Sequence, residues 1–194
     1  MDAALQASEG AERARSPSWC HGGYDRAAMT SHSRAPRDAK HILDFAGESL
    51  IVCPKCSRQA AVRQGDGEIV ARLSCGACGH TRDWQGPYLG HRYGEQARDS
   101  KEGEIVLGAP IDPFMHQDLW LRVACVGELL WAYNSQHLAF LRSFVGATLR
   151  ERPTSPHGTR NQLLESRLPK WMISAKNRDA ILAGVAKLEQ RLLD

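Results

Sequence analysis

Four cysteines, arranged as two Cys-x-x-Cys pairs, are the side chains in this sequence best suited to chemistry. Cys53 and Cys56 form the first pair, Cys75 and Cys78 form the second, and eighteen residues separate the pairs. Two-residue spacing lets both thiolates of a pair point into one tight turn, and two such turns complete a tetrahedron around zinc. The gap between the pairs is typical of four-cysteine zinc sites. We therefore expect one structural Zn²⁺ per chain.

Four thiolate ligands would close the coordination sphere of the metal. No position would remain for water or substrate, so the predicted zinc has a structural role and no catalytic one. Iron binding and a redox-active dithiol are the alternatives for paired cysteines. Gly79 follows the second pair and suits the left-handed residue that closes such a turn, whereas Ser57 takes that place after the first pair and suits it less well.

Length and composition describe an ordinary globular chain without an export or membrane signal. The chain has 194 residues, of which 42% are hydrophobic and 24% charged, and its net charge is +3. No stretch approaches the roughly 20 apolar residues of a membrane helix. The N-terminus lacks the positive start and apolar run of a signal peptide. We therefore expect a cytoplasmic protein with no membrane partner, in a compartment where thiols stay reduced.

The residues around the cysteines predict short antiparallel strands that carry the two turns. An Asp66-Gly67 pair gives a strong hairpin signal between the cysteine pairs, because both residues tolerate a positive φ. In the strand after that turn, Ile69, Ala71 and Leu73 share one face, while Val70 and Arg72 share the other. The predicted strands span residues 50–52, 59–63, 68–73 and 81–84.

A second ordered unit is predicted towards the C-terminus. Residues 118–124 and 128–133 flank a Val-Gly turn and predict a hairpin. A helix follows, with Asn134 or Ser135 as its N-cap and apolar residues at helical spacing. Asn177 is predicted to cap the last helix. A short strand is also expected at 105–107.

These elements predict an α+β chain in four parts. Its parts are a disordered arm at residues 1–40, a zinc ribbon at 41–86, a connector at 87–115, and a β-hairpin with helices at 116–194. The arm is assigned because it lacks apolar periodicity. The connector is assigned because glycine, proline and charged residues dominate it.

Two resemblances follow from these motifs. Residues 53–84 resemble the zinc ribbon of the transcription-factor-IIB type, and ribbons of this type commonly present a hairpin to nucleic acid or to a polymerase surface. The region 119–192 is similar to an uncharacterised bacterial family of small zinc-ribbon-containing proteins, on the motifs at 119–121, 130–134, 149–152, 167–171 and 175–178. That family tends to hold Cys-Cys-Gly in its second hairpin turn. This chain has Cys125-Val126-Gly127 there, which argues against a second metal site.

Nucleic-acid binding, linked to the transcription machinery, is the first hypothesis for function. Residues 135–194 hold ten basic and five acidic side chains, a balance that suits a polyanionic partner. Trp171 lies between Lys170 and Lys176 and could stack on a base. The residues predicted to contact nucleic acid are Arg58, Arg63, Arg72, Arg150, Arg152, Lys170, Trp171, Lys176 and Arg178.

A protein-interaction or scaffold subunit is the alternative hypothesis, with an oligomeric state that the sequence does not fix. Arginines clustered on one face would favour nucleic acid, and an exposed apolar surface would favour a protein partner. We expect no enzyme, because the sequence has no Gly-rich phosphate loop, no His-Glu zinc motif and no nucleophile elbow.

Overall fold

A computed structural model describes residues 40–65, 70–94, 99–147 and 164–193. The predicted arm, the Asp66-Gly67 turn and the predicted nucleic-acid contacts Arg150 and Arg152 lie outside these described residues, apart from residue 40 of the arm. Within them the fold is α+β, as predicted. None of the described helices combines the length and the apolar character that crossing a membrane requires.

A four-stranded antiparallel sheet carries the cysteine pairs. Its strands lie side by side in chain order: β1 (Glu48–Val52), β2 (Gln59–Gln64), β3 (Val70–Ser74) and β4 (Thr81–Gln85). A short helix, α1 (Leu43–Ala46), precedes β1. Ile51, Val62 and Leu73 are buried on one face of the sheet, because side chains alternate between the two faces along each strand. The four strands predicted around the cysteines are thereby confirmed, except that residues 68 and 69 of the third lie outside the described residues.

The residues predicted to form an extended connector contribute to the core. Strand β5 (His91–Tyr93) pairs in parallel with β6 (Ile105–Leu107), and all three side chains of β6 are buried. The predicted strand at 105–107 is confirmed. Asp112 is fully buried and accepts hydrogen bonds from the amides of Phe114 and Met115, which shapes the turn that follows β6.

Strand β1 forms main-chain hydrogen bonds on both of its edges. One edge pairs with β2. On the other edge, the amide of Leu50 donates to the carbonyl of Tyr133 at 2.7 Å, and the carbonyl of Leu50 accepts from the amide of Trp120 at 2.9 Å. The amide of Val52 donates to the carbonyl of Asp118 at 2.9 Å. The cysteine-bearing sheet is therefore joined directly to the C-terminal part of the chain.

The predicted hairpin and the helix after it are both confirmed. Strands β7 (Leu121–Cys125) and β8 (Glu128–Ala132) meet at a turn in which Val126 and Gly127 both have positive φ. Helix α2 (Ser135–Gly146) follows, with Asn134 as its N-cap. The Asn134 side chain accepts a hydrogen bond from the amide of His137 at 2.9 Å, as the cap assignment requires.

Three further helices complete the described chain: α3 (Leu164–Arg167), α4 (Lys170–Ile173) and α5 (Arg178–Arg191). Helix α5 packs on α2 and β7, and its buried side chains join one core cluster with those of the sheet, the hairpin and α2. Asn177 occupies the N-cap position of α5, as predicted, but its side chain makes no capping hydrogen bond. Its backbone is already helical, so its side chain donates to the carbonyl of Trp171 at 2.9 Å and caps nothing.

Candidate metal centre

The sulfur atoms of the four predicted ligands converge at one end of the sheet. The Sγ atoms of Cys53 and Cys78 lie 3.8 Å apart, those of Cys56 and Cys75 lie 3.6 Å apart, and all four lie within 4.8 Å of one another. In a tetrahedral site with zinc–sulfur bonds of about 2.3 Å, sulfur atoms are separated by about 3.8 Å. The donor set and its spacing therefore fit one tetrahedral metal ion.

Each cysteine pair sits in a tight loop that the backbone closes in the same way. The amide of Ser57 donates to the carbonyl of Cys53, and the amide of Gly79 donates to the carbonyl of Cys75, both at 2.9 Å. Ser57 and Gly79 have φ values of 59° and 69°, in the left-handed region. This conformation is the one expected for Gly79, and Ser57 adopts it despite the cost of its Cβ.

Substitutions at Ser57 and Gly79 should change the stability of the protein in opposite directions. Ser57→Gly removes the steric cost of the left-handed conformation and should raise the free energy of unfolding by about 0.5–1 kcal/mol. Gly79→Ala introduces that cost and should lower it by about 1 kcal/mol. Urea unfolding of the metal-loaded protein measures both changes. A Ser57→Gly variant that is destabilised as much as Gly79→Ala would contradict this account of the first loop.

The pKa values of two of the thiols, Cys75 and Cys78, are strongly shifted when no metal ion is bound. Burial raises the pKa of Cys75, but hydrogen bonds from the amides of Cys78 and Ala77 outweigh burial and lower that pKa to about 7. The amide of His80 lowers the pKa of Cys78, but burial and the neighbouring sulfur atoms outweigh it and raise that pKa to about 12. The cluster therefore loses its protons in steps, and a bound dication would replace them.

The four sulfurs are positioned to enclose an ion. Cys53 and Cys75 are buried, and Cys56 and Cys78 are half-buried, so protein surrounds the four sulfurs on most sides. With four protein ligands, a tetrahedral metal has no open position for water or substrate. The binding free energy of the ion then contributes to the stability of the fold.

Two of the arginines predicted to contact nucleic acid form ion pairs across the sheet. Arg63 lies opposite Glu48 and contacts its carboxylate at 2.8 Å. Arg72 lies opposite Asp83 and binds both carboxylate oxygens, at 2.6 and 2.9 Å. These pairs are exposed, and a phosphate would have to compete with a carboxylate for each arginine.

The other described residues in that prediction lie in the first cysteine loop and in the stretch from α4 to the start of α5. Arg178 donates to the carbonyl of Ala147 at 3.0 Å, and Trp171 is half-buried against the core. Arg58 in the first cysteine loop, Lys170 in α4 and Lys176 before α5 are exposed. Nucleic-acid contact by this set stays a prediction.

No family model, no curated protein and no solved structure matches this chain. Of the two resemblances, the geometry supports the local one, between the cysteine-bearing region and a zinc ribbon. A four-cysteine cluster lies on antiparallel hairpins, the arrangement of a zinc-ribbon-like module.

Proposed function

We propose that this chain is a non-catalytic protein-interaction module whose fold is stabilised by one structural Zn²⁺. Zinc is the ion of choice because a four-thiolate tetrahedral site suits it best. A reducing compartment such as the cytoplasm would keep the four thiolates available to the metal. The observation that carries the interaction role is a cluster of exposed apolar side chains around β5.

This cluster, the aromatic patch, consists of Tyr88, Leu89, His91 and Tyr93. Tyr88 and Tyr93 are each 42% exposed, and Leu89 is 57% exposed. Exposed apolar side chains that adjoin one another mark surfaces that bind other proteins more often than isolated ones do. Aromatic side chains are also enriched at such interfaces.

The rings of the aromatic patch are held in place by one another. The hydroxyl of Tyr88 contacts Nδ1 of His91, and their ring centroids lie 5.2 Å apart. His91 in turn stacks on Tyr93, with centroids 6.2 Å apart. Side chains that are already ordered lose less conformational entropy when a partner binds, which favours their use as a contact surface.

The proposal is tested by asking whether substitutions in the aromatic patch abolish the binding of one specific partner protein. The doubly substituted chain Tyr88→Asp, Leu89→Asp places two charges in the patch and should abolish capture of a partner from the native host. Leu193→Asp is the matched control, because Leu193 is 79% exposed and lies outside the patch. Quantitative mass spectrometry after cross-linking should show a protein recovered by the native chain and the control, and lost from the double variant. Identical recoveries from all three would contradict the proposal.

A second candidate function, association with nucleic acid as part of transcription, is favoured by the exposed Lys170 and Lys176 near Trp171. It is also what the resemblance to a transcription-factor-IIB-type ribbon implies. Neutralised phosphates release counterions, so an affinity of this kind must fall steeply with salt. Phosphate contacts carry no base information, so it should also be independent of sequence.

Lys170→Glu, Lys176→Glu should weaken binding to mixed-sequence DNA and RNA by tenfold or more at low salt, because two attractions become repulsions. Lys101→Glu is the control, since Lys101 is exposed but lies before β6. Fluorescence anisotropy at several salt concentrations measures the effect. The absence of association at tens of micromolar native protein would eliminate this second function.

A further inference from the structure

A cavity of about 880 Å³ opens beside α2, between the hairpin β7–β8 and the short helices α3 and α4. This volume falls within the range of small-molecule sites. Aromatic rings of Tyr93, Trp131 and Trp171 and aliphatic side chains such as Leu107 and Leu141 line its wall. The composition of the wall fits a ligand that is mainly apolar and has flat faces.

One polar side chain, His137 of α2, lies inside this apolar wall. It is only 2% exposed and stacks on Phe45, with ring centroids 4.9 Å apart. Its ring is nearly perpendicular to that of Trp131, with centroids 5.5 Å apart. Its Nδ1 accepts a hydrogen bond from the amide of Tyr133 at 3.3 Å. A neutral imidazole that accepts at Nδ1 carries its proton on Nε2. Burial lowers the pKa of His137 to about 3, so the ring stays neutral at physiological pH.

The Nε2–H group of His137 has no hydrogen-bond partner among the described residues, while the ring lines the cavity. Among the described residues, the fully buried side-chain nitrogen and oxygen atoms without a hydrogen-bond partner are Ser49 Oγ and Arg178 Nε. Nε2 of His137 is not among these atoms, and the side chain that carries it lines the cavity. A buried donor without a partner is costly, and a ligand acceptor would satisfy it.

The charged side chains at the cavity do not select a charged ligand. Glu128 and Arg167 both line it, and their charges are opposite. The guanidinium of Arg167 lies over the ring of Tyr93, 5.3 Å from its centroid. Leu129, 39% exposed, adds apolar surface. Among the described residues that line the cavity, the buried polar group that can select the ligand is the donor on His137.

We propose that this cavity binds an uncharged aromatic small molecule that carries one hydrogen-bond acceptor, such as a carbonyl, and that His137 Nε2–H receives the acceptor. The tryptophans at 131 and 171 provide apolar ring surface for its faces. This site is separate from the metal centre. It shares Tyr93 with the aromatic patch, but ligand binding in it does not require a protein partner.

A matched pair of probes tests the proposal on the full, zinc-loaded chain. The probes are 2-acetylnaphthalene, which has a carbonyl, and 2-ethylnaphthalene, which has the same shape without one. Titrations followed by ¹H–¹⁵N NMR should shift the indole N–H signals of Trp131 and Trp171 and the ring nitrogens of His137. The carbonyl probe should bind about threefold to tenfold more tightly, the contribution of one hydrogen bond. The ring nitrogens also report the tautomer, and a proton on Nδ1 would overturn the proposal.

Two substitutions separate ligand binding from folding. His137→Asn places an oxygen where Nδ1 accepts from Tyr133 but lacks the Nε2 donor, so it should remove the preference for the carbonyl probe while still binding both probes. Leu129→Glu should weaken both probes several-fold, whereas Leu193→Glu, outside the cavity, should leave both unchanged. Saturation by neither probe at millimolar concentration, or an unchanged preference in a folded His137→Asn chain, would show that the proposed donor binds no ligand.

Discussion

Cys56→Ser is expected to lose the bound metal and to lower the melting temperature of the whole described fold by on the order of 10 °C or more. A serine hydroxyl does not ionise at neutral pH, so one of the four thiolate ligands is lost and the tetrahedral coordination of the ion is incomplete. Structural zinc contributes roughly 10 kcal/mol or more to small metal-dependent folds, which is comparable to the total stability of a domain. A loss of about 3 kcal/mol already gives the stated shift in a chain of this size.

The effect should reach the helices, because the core is continuous. Cys53 and Cys75 belong to the same buried cluster as Leu141 in α2 and Ile181 in α5. A ribbon that folded independently would melt alone and leave the helical circular dichroism unchanged. The shared core instead predicts that helical signal and tryptophan emission are lost in one transition, at the lower temperature.

Cys125→Ser is the matched control for this prediction. Cys125 is also buried, but it lies outside the four-sulfur cluster and donates to the carbonyl of Ala180 at 3.5 Å. A serine there can make the same hydrogen bond, so this variant should keep one zinc per chain by elemental analysis. Retention of stoichiometric zinc by Cys56→Ser, or its loss from Cys125→Ser, would contradict the ligand assignment.

Asn134→Ala should cost about 3–7 kcal/mol of stability, although Asn134 lies outside the metal centre. Its side-chain oxygen caps α2, and its Nδ2 donates to the carbonyls of Phe45 at 2.9 Å and Glu48 at 2.8 Å. Loss of an N-cap costs about 1 kcal/mol. Each buried carbonyl left without its donor adds about 1–3 kcal/mol.

Asn134→Ser divides this effect into its two parts. The serine hydroxyl can still cap α2, so about 1 kcal/mol should return, but it cannot reach both carbonyls. Chemical unfolding of the two variants beside the native chain gives both values. Equal stability of the alanine variant and the native chain would mean that water satisfies the carbonyls of Phe45 and Glu48.

The metal centre could be predicted from sequence because its geometry is local. Each cysteine pair lies within one turn, and the spacing alone places two sulfurs on the same ion. The strands beside the turns were predictable for the same reason, since alternation and turn signals act over a few residues. The capping role of Asn134 needed only the sequence on either side of it.

The remaining features depend on contacts between distant parts of the chain. The ion pair between Arg72 and Asp83 requires the register of two strands, which the sequence pattern alone left open. The cavity gathers residues from 42 to 172, so no local pattern indicates that His137 and Trp171 share a wall. The side chain of Asn177 does not cap α5 because capping depends on the backbone conformation of that residue, which the preceding turn sets.

The two-sided pairing of β1 has a consequence for biosynthesis. A chain emerges from the ribosome N-terminus first, and both cysteine loops are complete once Cys78 is exposed. The second edge of β1 stays open until Tyr133 follows, about 3–11 s later at roughly 5–20 residues per second. An open strand edge is a template for pairing with another chain. Nascent chains translated side by side from one messenger RNA are therefore most prone to aggregate in that interval. Binding of the metal ion as soon as Cys78 has emerged would not shorten the interval.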